Sequence, residues 1–221
     1  MSWFEFVLAF VVFFASHMVP TRPPVRARIE AVTGKRGFTL AYSALSLAAL
    51  VWLIGAAGRA PYVPLWHWAA WQVHATQIAM LATCIVLALS LGRPNPFSFG
   101  GGNDTFYPDR PGLVRWMRHP ILMALALWAA AHLLVNGALA HVILFGLFFG
   151  FALLGQRAID RRKRRQMGSD WNELNVARRT ASKVLTTFGP REFALRVIFG
   201  ALLFIALLTL HPIVFGVSAL S

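Results

Sequence analysis

The sequence predicts an all-α polytopic membrane protein, a bundle of about six transmembrane helices with a short helical hairpin at spans four and five and both termini non-cytoplasmic. Three observations carry this. Hydrophobic residues make up 57% of the 221-residue chain and charged residues only 13%, with a mean hydropathy of +0.60. A soluble domain of this length has too little interior to hide so much apolar surface. The apolar residues gather into segments close to the about 17–25 residues that cross a bilayer, and the basic residues fall into alternate connections. No length remains for a separate soluble domain, so 1–221 reads as one transmembrane domain.

The segments follow in order. Trp3–Val19 carries Glu5 where a signal peptide has a basic region, and no small-residue cleavage site follows, so it reads as an uncleaved first span. Phe38–Ala57 and Trp66–Leu91 are the second and third, the latter with Trp66, Trp68 and Trp71 as interfacial anchors. Pro120–Val135 and Ala138–Leu154 are short and meet at Asn136-Gly137, a turn dipeptide that makes them an antiparallel hairpin. Phe193–Leu210 is the sixth. The tail Ile213–Leu220, after His211-Pro212, is too short to span.

Orientation follows from charge. The 1–2 connection holds Arg22, Arg26, Arg28, Lys35 and Arg36; the 3–4 connection holds Arg93, Arg110, Arg115 and Arg118; the 5–6 connection holds ten more. Six spans thus put 19 of the 21 basic residues on one, cytoplasmic, face. The run Arg161–Arg165 serves this orientation signal; docking to anionic lipid headgroups is its second reading. The net charge of +13 does not point to nucleic acid, because it lies between apolar segments instead of on one polar face. The single cysteine, Cys84, sits in an apolar run and excludes an intrachain disulfide. The loop 92–112 is rich in Pro, Gly and Asn; its Gly-Gly-Gly does not open a helix, which favours a lid over a cytoplasm-facing pocket above a phosphate cradle.

The polar groups inside the spans are informative by type. None of the eight carboxylates falls well inside a span, which argues against an ion-coupled carrier. The titratable groups at depth are His17, His74 and His132, with Gln72, Gln77 and Asn136 as polar company. One interhelical hydrogen bond per ring explains each of them. Together, without carboxylates, they suit a partner that wants neutral imidazole, of which a metal or haem iron is the commonest. His119 and His132 are 13 residues apart, hence about 20 Å along the helix axis and about 140° around it, so they serve different sites. His119-Pro120, with Arg115 and Arg118, opens span four as a cationic helix N-terminus suited to a carboxylate, phosphate or propionate; lipid headgroup contact is the alternative. His67, His141 and His211 lie near span ends, where a hydrogen bond to water or headgroups explains them.

Several motifs occur together: Ser16-His17, then T-G-K-R-G-F-x-x-x-Y-S over Thr33–Ser43, then Arg118-His119-Pro120, then W-x-x-x-H-x-x-x-N-G over Trp128–Gly137, and Gly155 with Asp160-Arg161-Arg162. In this combination the chain resembles the NnrU family of integral membrane proteins over about residues 3–190. The resemblance implies a multi-pass protein of the bacterial inner membrane, associated with nitrite and nitric oxide reductase expression or function in denitrification. A plastid relative is the zeta-carotene isomerase, a haem b enzyme acting on an apolar polyene. Carried over, its proposed iron ligands are His17 and His132, which makes them the metal candidates here. The isomerase's cysteine three residues before the second histidine is Ala129 in this chain, which counts against the isomerase activity. His17 and His132 differ in depth by roughly 15 Å, so His74 is the fallback partner of His132 and a single ligand is a further option.

Arg-His-Pro at a membrane hairpin also resembles isoprenylcysteine and phospholipid methyltransferases, where it helps hold S-adenosylmethionine; the downstream stretch here offers one glutamate, Glu173, and no tyrosine. The sequence therefore leaves three functional classes: a haem b protein of nitrogen-oxide respiration or of an apolar substrate, a methyltransferase using Arg118, His119 and Glu173, and a non-enzymatic assembly or regulatory factor.

Overall fold

The structure, a computed structural model, describes residues 3–99, 105–181 and 189–219. It is helical throughout: α1 (Trp3–Met18), α2 (Pro23–Arg59), α3 (Ala70–Ser90), a 3-10 turn (Gly112–Arg115), α4 (Pro120–Val135), α5 (Leu139–Met167), α6 (Ser169–Thr180) and α7 (Pro190–Phe215), with no strand among the described residues. Helices α2, α3, α5 and α7 are long and apolar enough to cross a membrane. Helices α1 and α4 have 16 residues each, about 24 Å of rise, somewhat less than the ~30 Å hydrocarbon core.

Helix α5 runs thirteen residues beyond Leu154, to Met167, and α3 starts at Ala70, leaving Trp66 and Trp68 outside it; three further elements differ from the sequence reading. Helix α2 starts at Pro23, fifteen residues before Phe38, because Pro23 and Pro24 occupy the first turn and Arg26 pairs with Glu30 one turn on. Gly34, at φ 71°, kinks it between this polar part and the apolar part. Helix α6 is a polar helix inside the 5–6 connection, where hydropathy gives no signal. Helix α7 does not stop at His211-Pro212. It continues to Phe215 and ends at Gly216, whose left-handed φ of 73° lets its N–H bond the Pro212 carbonyl.

The chain divides into two compact units: Met1–Trp66 with Gly137–Leu144, and His67–Asn136 with Phe145–Ser221. In the first, α1 packs on α2 through buried Phe6, Ala9 and Phe10 on one side and Ala49, Leu53 and Ala56 on the other. Glu5 ties the helices at one end through the Arg59 guanidinium and the Trp52 indole N–H. The Leu65 N–H donates to the Gly137 carbonyl and the Leu139 N–H to the Val63 carbonyl, each at 2.8 Å, a short antiparallel clasp. A Cβ at Gly137 would lie 1.9 Å from the Trp66 carbonyl oxygen, so the clasp admits only glycine.

In the second unit α3 packs against both α4 and α7. Gln72 starts α3 by accepting the Ala69 N–H and donates across to the Leu134 carbonyl, while Thr76 donates to the Ala131 carbonyl. These two interhelical bonds satisfy polar side chains that have no water to turn to. Against α7 the approach is closer still: a Cβ on Gly200 would sit 2.9 Å from the Ile85 Cα. Trp128 of α4 meets Phe145 and Phe148 of α5 at centroid distances of 5.4 and 5.8 Å. Beyond the membrane-length part, Phe97, Val114 and Trp171 form a small core with Phe106, Met167 and Leu174, which seats α6 and the 3-10 turn.

Candidate functional site

Two clusters in the second unit hold chemistry-bearing side chains. The first lies where α4 begins. His119 is its N-cap residue and Pro120 its first residue, a position where proline's missing N–H costs nothing. Arg118 places Nε 3.0 Å from Asp160 Oδ1 and Nη2 2.5 Å from Oδ2, a two-pronged pairing. His119 Nε2 is 3.0 Å from the same Oδ1, and its Nδ1 is 3.0 Å from Ser98 Oγ. Burial pushes the His119 pKa below its ordinary value, against the pull of Asp160. In its neutral form the ring carries its proton on Nε2, facing the carboxylate, and accepts the Ser98 hydroxyl at Nδ1. Burial also raises the Asp160 carboxyl, but hydrogen bonds from Arg118 and His119 outweigh it and hold the pKa below the usual value.

Further bonds fix the surroundings. Asn95 donates to the Arg118 carbonyl and accepts the Phe97 N–H. Arg178, buried on α6, donates to the carbonyls of Val114 and Arg115 and to Asn175. Burial lowers its pKa to about 10, which leaves it charged at neutral pH. Trp171 lies beneath Arg118 and Arg164, at 5.7 and 4.1 Å from the ring centre.

The anion that the sequence assigned to Arg118 and His119 is thus supplied by the chain itself, as Asp160. His119 is 1% exposed and presents nothing to headgroups. Neither it nor Ser98 lines the neighbouring cavity of about 300 Å³, which is bounded by Arg93, Asn95, Tyr107, Arg110 and Pro120. Glu173, the carboxylate of the methyltransferase reading, is exposed on α6. The basic run is exposed except for half-buried Lys163. Asp160 carried one sequence signal: it is the first carboxylate beyond the apolar part of α5, on a helix joined to α4 by a three-residue turn.

The second cluster is built from imidazoles. His132 Nδ1 lies 2.9 Å from the Trp128 carbonyl, one turn back on α4. His211 Nδ1 lies 2.8 Å from the Val217 carbonyl. A carbonyl only accepts, so each neutral ring carries its proton on Nδ1 and keeps the Nε2 lone pair open. Neither Nε2 has a hydrogen-bond partner among the described residues. Both rings line one cavity of about 310 Å³ between α3, α4 and α7. Gln77 borders it and donates to the Ala219 carbonyl at 3.2 Å, which folds the tail beyond Gly216 back as one wall. Phe204, Leu207 and Leu208 of α7 supply the apolar side, and no charged residue among those described lines it.

The other candidate ligands lie elsewhere. His17, on α1 in the first unit, has Nδ1 2.7 Å from the Phe13 carbonyl and 3.3 Å from Ser16 Oγ, so its Nε2 is open in the same way. His74 is exposed on α3, next to the cavity-lining Val73, and makes no hydrogen bond among the described residues. The structure therefore brings His132 together with His211, which the sequence had placed at a span end. The signal was available: extending the helix through Pro212 puts His211 at the end of α7.

A chain whose described residues form helices and no strand, four of the helices apolar and of membrane-crossing length, is a multi-pass membrane protein. It belongs to the NnrU family, whose model, described as NnrU protein, matches residues 5–219. That match runs past residue 190 to include α7 and the tail. No curated protein and no solved structure matches the chain.

Proposed function

We propose that this protein binds haem b in the bacterial inner membrane, with His132 as an iron ligand, and acts in nitrogen-oxide respiration. In this reading the chain crosses six times with both termini non-cytoplasmic, and Arg161–Arg165 lies against anionic headgroups on the cytoplasmic side.

The single observation that carries the reading is the preparation of His132. Its Nδ1–H is committed to the Trp128 carbonyl, which orients the ring and raises the basicity of the open Nε2, as the outer partners of metal-bound histidines do. The donor set fits haem iron better than a bare divalent ion. No charged side chain among the described residues lines the cavity, so a bare ion would be an uncompensated charge in an apolar site, whereas the porphyrin dianion cancels the charge of ferrous iron and haem b's two propionates would need the cavity's open side. The cavity is not enclosed, so a planar ligand larger than the lined volume can extend beyond it. The chemistry that the group supplies when bound is one-electron transfer or binding of a diatomic ligand at iron. What the chain supplies is a fixed neutral imidazole and an apolar surround that limits water.

The test is a visible spectrum of the detergent-solubilised protein purified after haem supplementation. A Soret band that His132→Ala abolishes or shifts supports the reading. Haem-free wild-type protein, under conditions that load a control cytochrome, removes it.

A further inference from the structure

We infer that His211 is the second imidazole of the cavity that His132 faces, and that the two rings form a bis-histidine site closed by the tail Gly216–Ala219. The inference rests on the haem reading above and names the ligand on the opposite helix.

The argument starts from the tautomers. A histidine whose Nδ1–H points at a carbonyl offers its surroundings only a lone pair. Two such rings, on α4 and α7, border one cavity, and neither lone pair has a donor to satisfy it. One bond between Gln77 and either Nε2 would pair a donor with an acceptor, yet Gln77 donates to the Ala219 carbonyl instead. The cavity therefore presents two electron-pair donors and asks for one acceptor, and with no charged residue among the described residues of its lining an iron whose charge the porphyrin ring cancels suits it better than a bare ion.

The tail explains why His211 holds its orientation. Pro212 follows directly, Gly216 ends the helix in the left-handed region, and the turn that results brings the Val217 carbonyl back to His211 Nδ1. The bond at 2.8 Å does for His211 what the Trp128 carbonyl does for His132. The two anchors come by different routes: one turn back along a regular helix, and a reversal of the chain beyond a helix end. His17 carries an equivalent anchor but belongs to the other compact unit.

The experiment uses the full-length protein loaded with haem in detergent and reads the ferric spin state by optical and electron paramagnetic resonance spectra. The expected result is a low-spin wild type, a His211→Ala variant that becomes high-spin, and recovery of the low-spin spectrum when free imidazole is added to that variant. Recovery by imidazole shows that the variant is folded and lacks only the ligand. A His211→Ala protein that stays low-spin overturns the inference, as does loss of the low-spin state in His17→Ala with His211→Ala unaffected. A wild type that is already high-spin overturns it too. Haem uptake with any of these outcomes leaves the haem reading standing, whereas absence of uptake by the wild type removes both. A second readout needs no haem: nitrogen-15 spectra of the apoprotein are expected to show the Nδ1–H tautomer for His132 and His211, and an Nε2–H signal for His211 refutes the anchoring.

Discussion

Asp160 and Arg118, 42 residues apart, meet through two parallel hydrogen bonds at the end of α4 where the chain enters the helix. The carboxylate also takes His119, so one acid organises two consecutive basic residues and, through His119, the Ser98 hydroxyl. The consequence is a partly buried cluster whose charges are internally matched.

Asp160→Asn is expected to cost about 2–3 kcal/mol, because the amide keeps one oxygen for His119 but removes the charge and sets an NH2 donor against the Arg118 guanidinium. The figure is below that of a fully buried pair because the Arg118 side chain is 24% exposed. Unfolding in mixed micelles, followed by circular dichroism across an Asp160→Asn, Arg118→Ala double-mutant cycle, measures it. A coupling near zero removes the cluster as a stabilising unit.

Acid is expected to weaken the fold in a defined window. The His119 pKa is lowered from its ordinary 6.5, so the unfolded chain binds the proton first; stability is complete above 6.5 and falls as pH drops through the lowered value. Asp160, also lowered, acts in the same sense at lower pH, its contribution being lost below the usual carboxylate range. Thermal midpoints of wild type and His119→Gln, recorded from about pH 5 to pH 8, check this. The wild type is expected to lose stability toward pH 5 and the variant to lose less; parallel curves contradict the assignment.

Gly200→Ala and Gly146→Ala are expected to differ. The first forces a methyl group to 2.9 Å from Ile85 Cα and 3.1 Å from the Cys84 carbonyl, both backbone atoms, and overpacking of that kind costs about 1–3 kcal/mol. The second meets nothing within 4 Å and gains helix propensity. Side-by-side melting of the two proteins decides, and equal midpoints would mean that α3 and α7 are not in close contact.

Orientation is accessible through cysteine labelling, since native Cys84 is 1% exposed and silent. Tyr62→Cys is expected to react with a membrane-impermeant maleimide in intact cells, and Lys163→Cys only after lysis. The reverse pattern inverts the proposed topology.

The apolar runs were legible in the sequence because crossing a bilayer demands them: Trp66–Leu91 holds α3, and Ala138–Leu154 holds the first half of α5. The polar helices were not. The stretch Ser169–Thr180 has neither the length nor the hydropathy of a span, and Pro23–Gly34 is joined to an apolar helix only across a kink. Site residues divided on the same line. His17 and His132 announce themselves through their neighbours, whereas Asp160 meets His119 across 41 residues and His211 acquires its role from a helix that outlasts a proline. Such pairings depend on which faces meet, which periodicity does not encode.

The tail Val217–Ala219 is held against the cavity through main-chain oxygens, those of Val217 and Ala219. Almost any amino acid provides the same oxygen. The contribution of Val217–Ala219 is therefore invisible to an alignment of side chains: beyond Gly216, whose left-handed turn favours glycine, the letters can drift, while a shortening by a few residues strips both Gln77 and His211 of their acceptors.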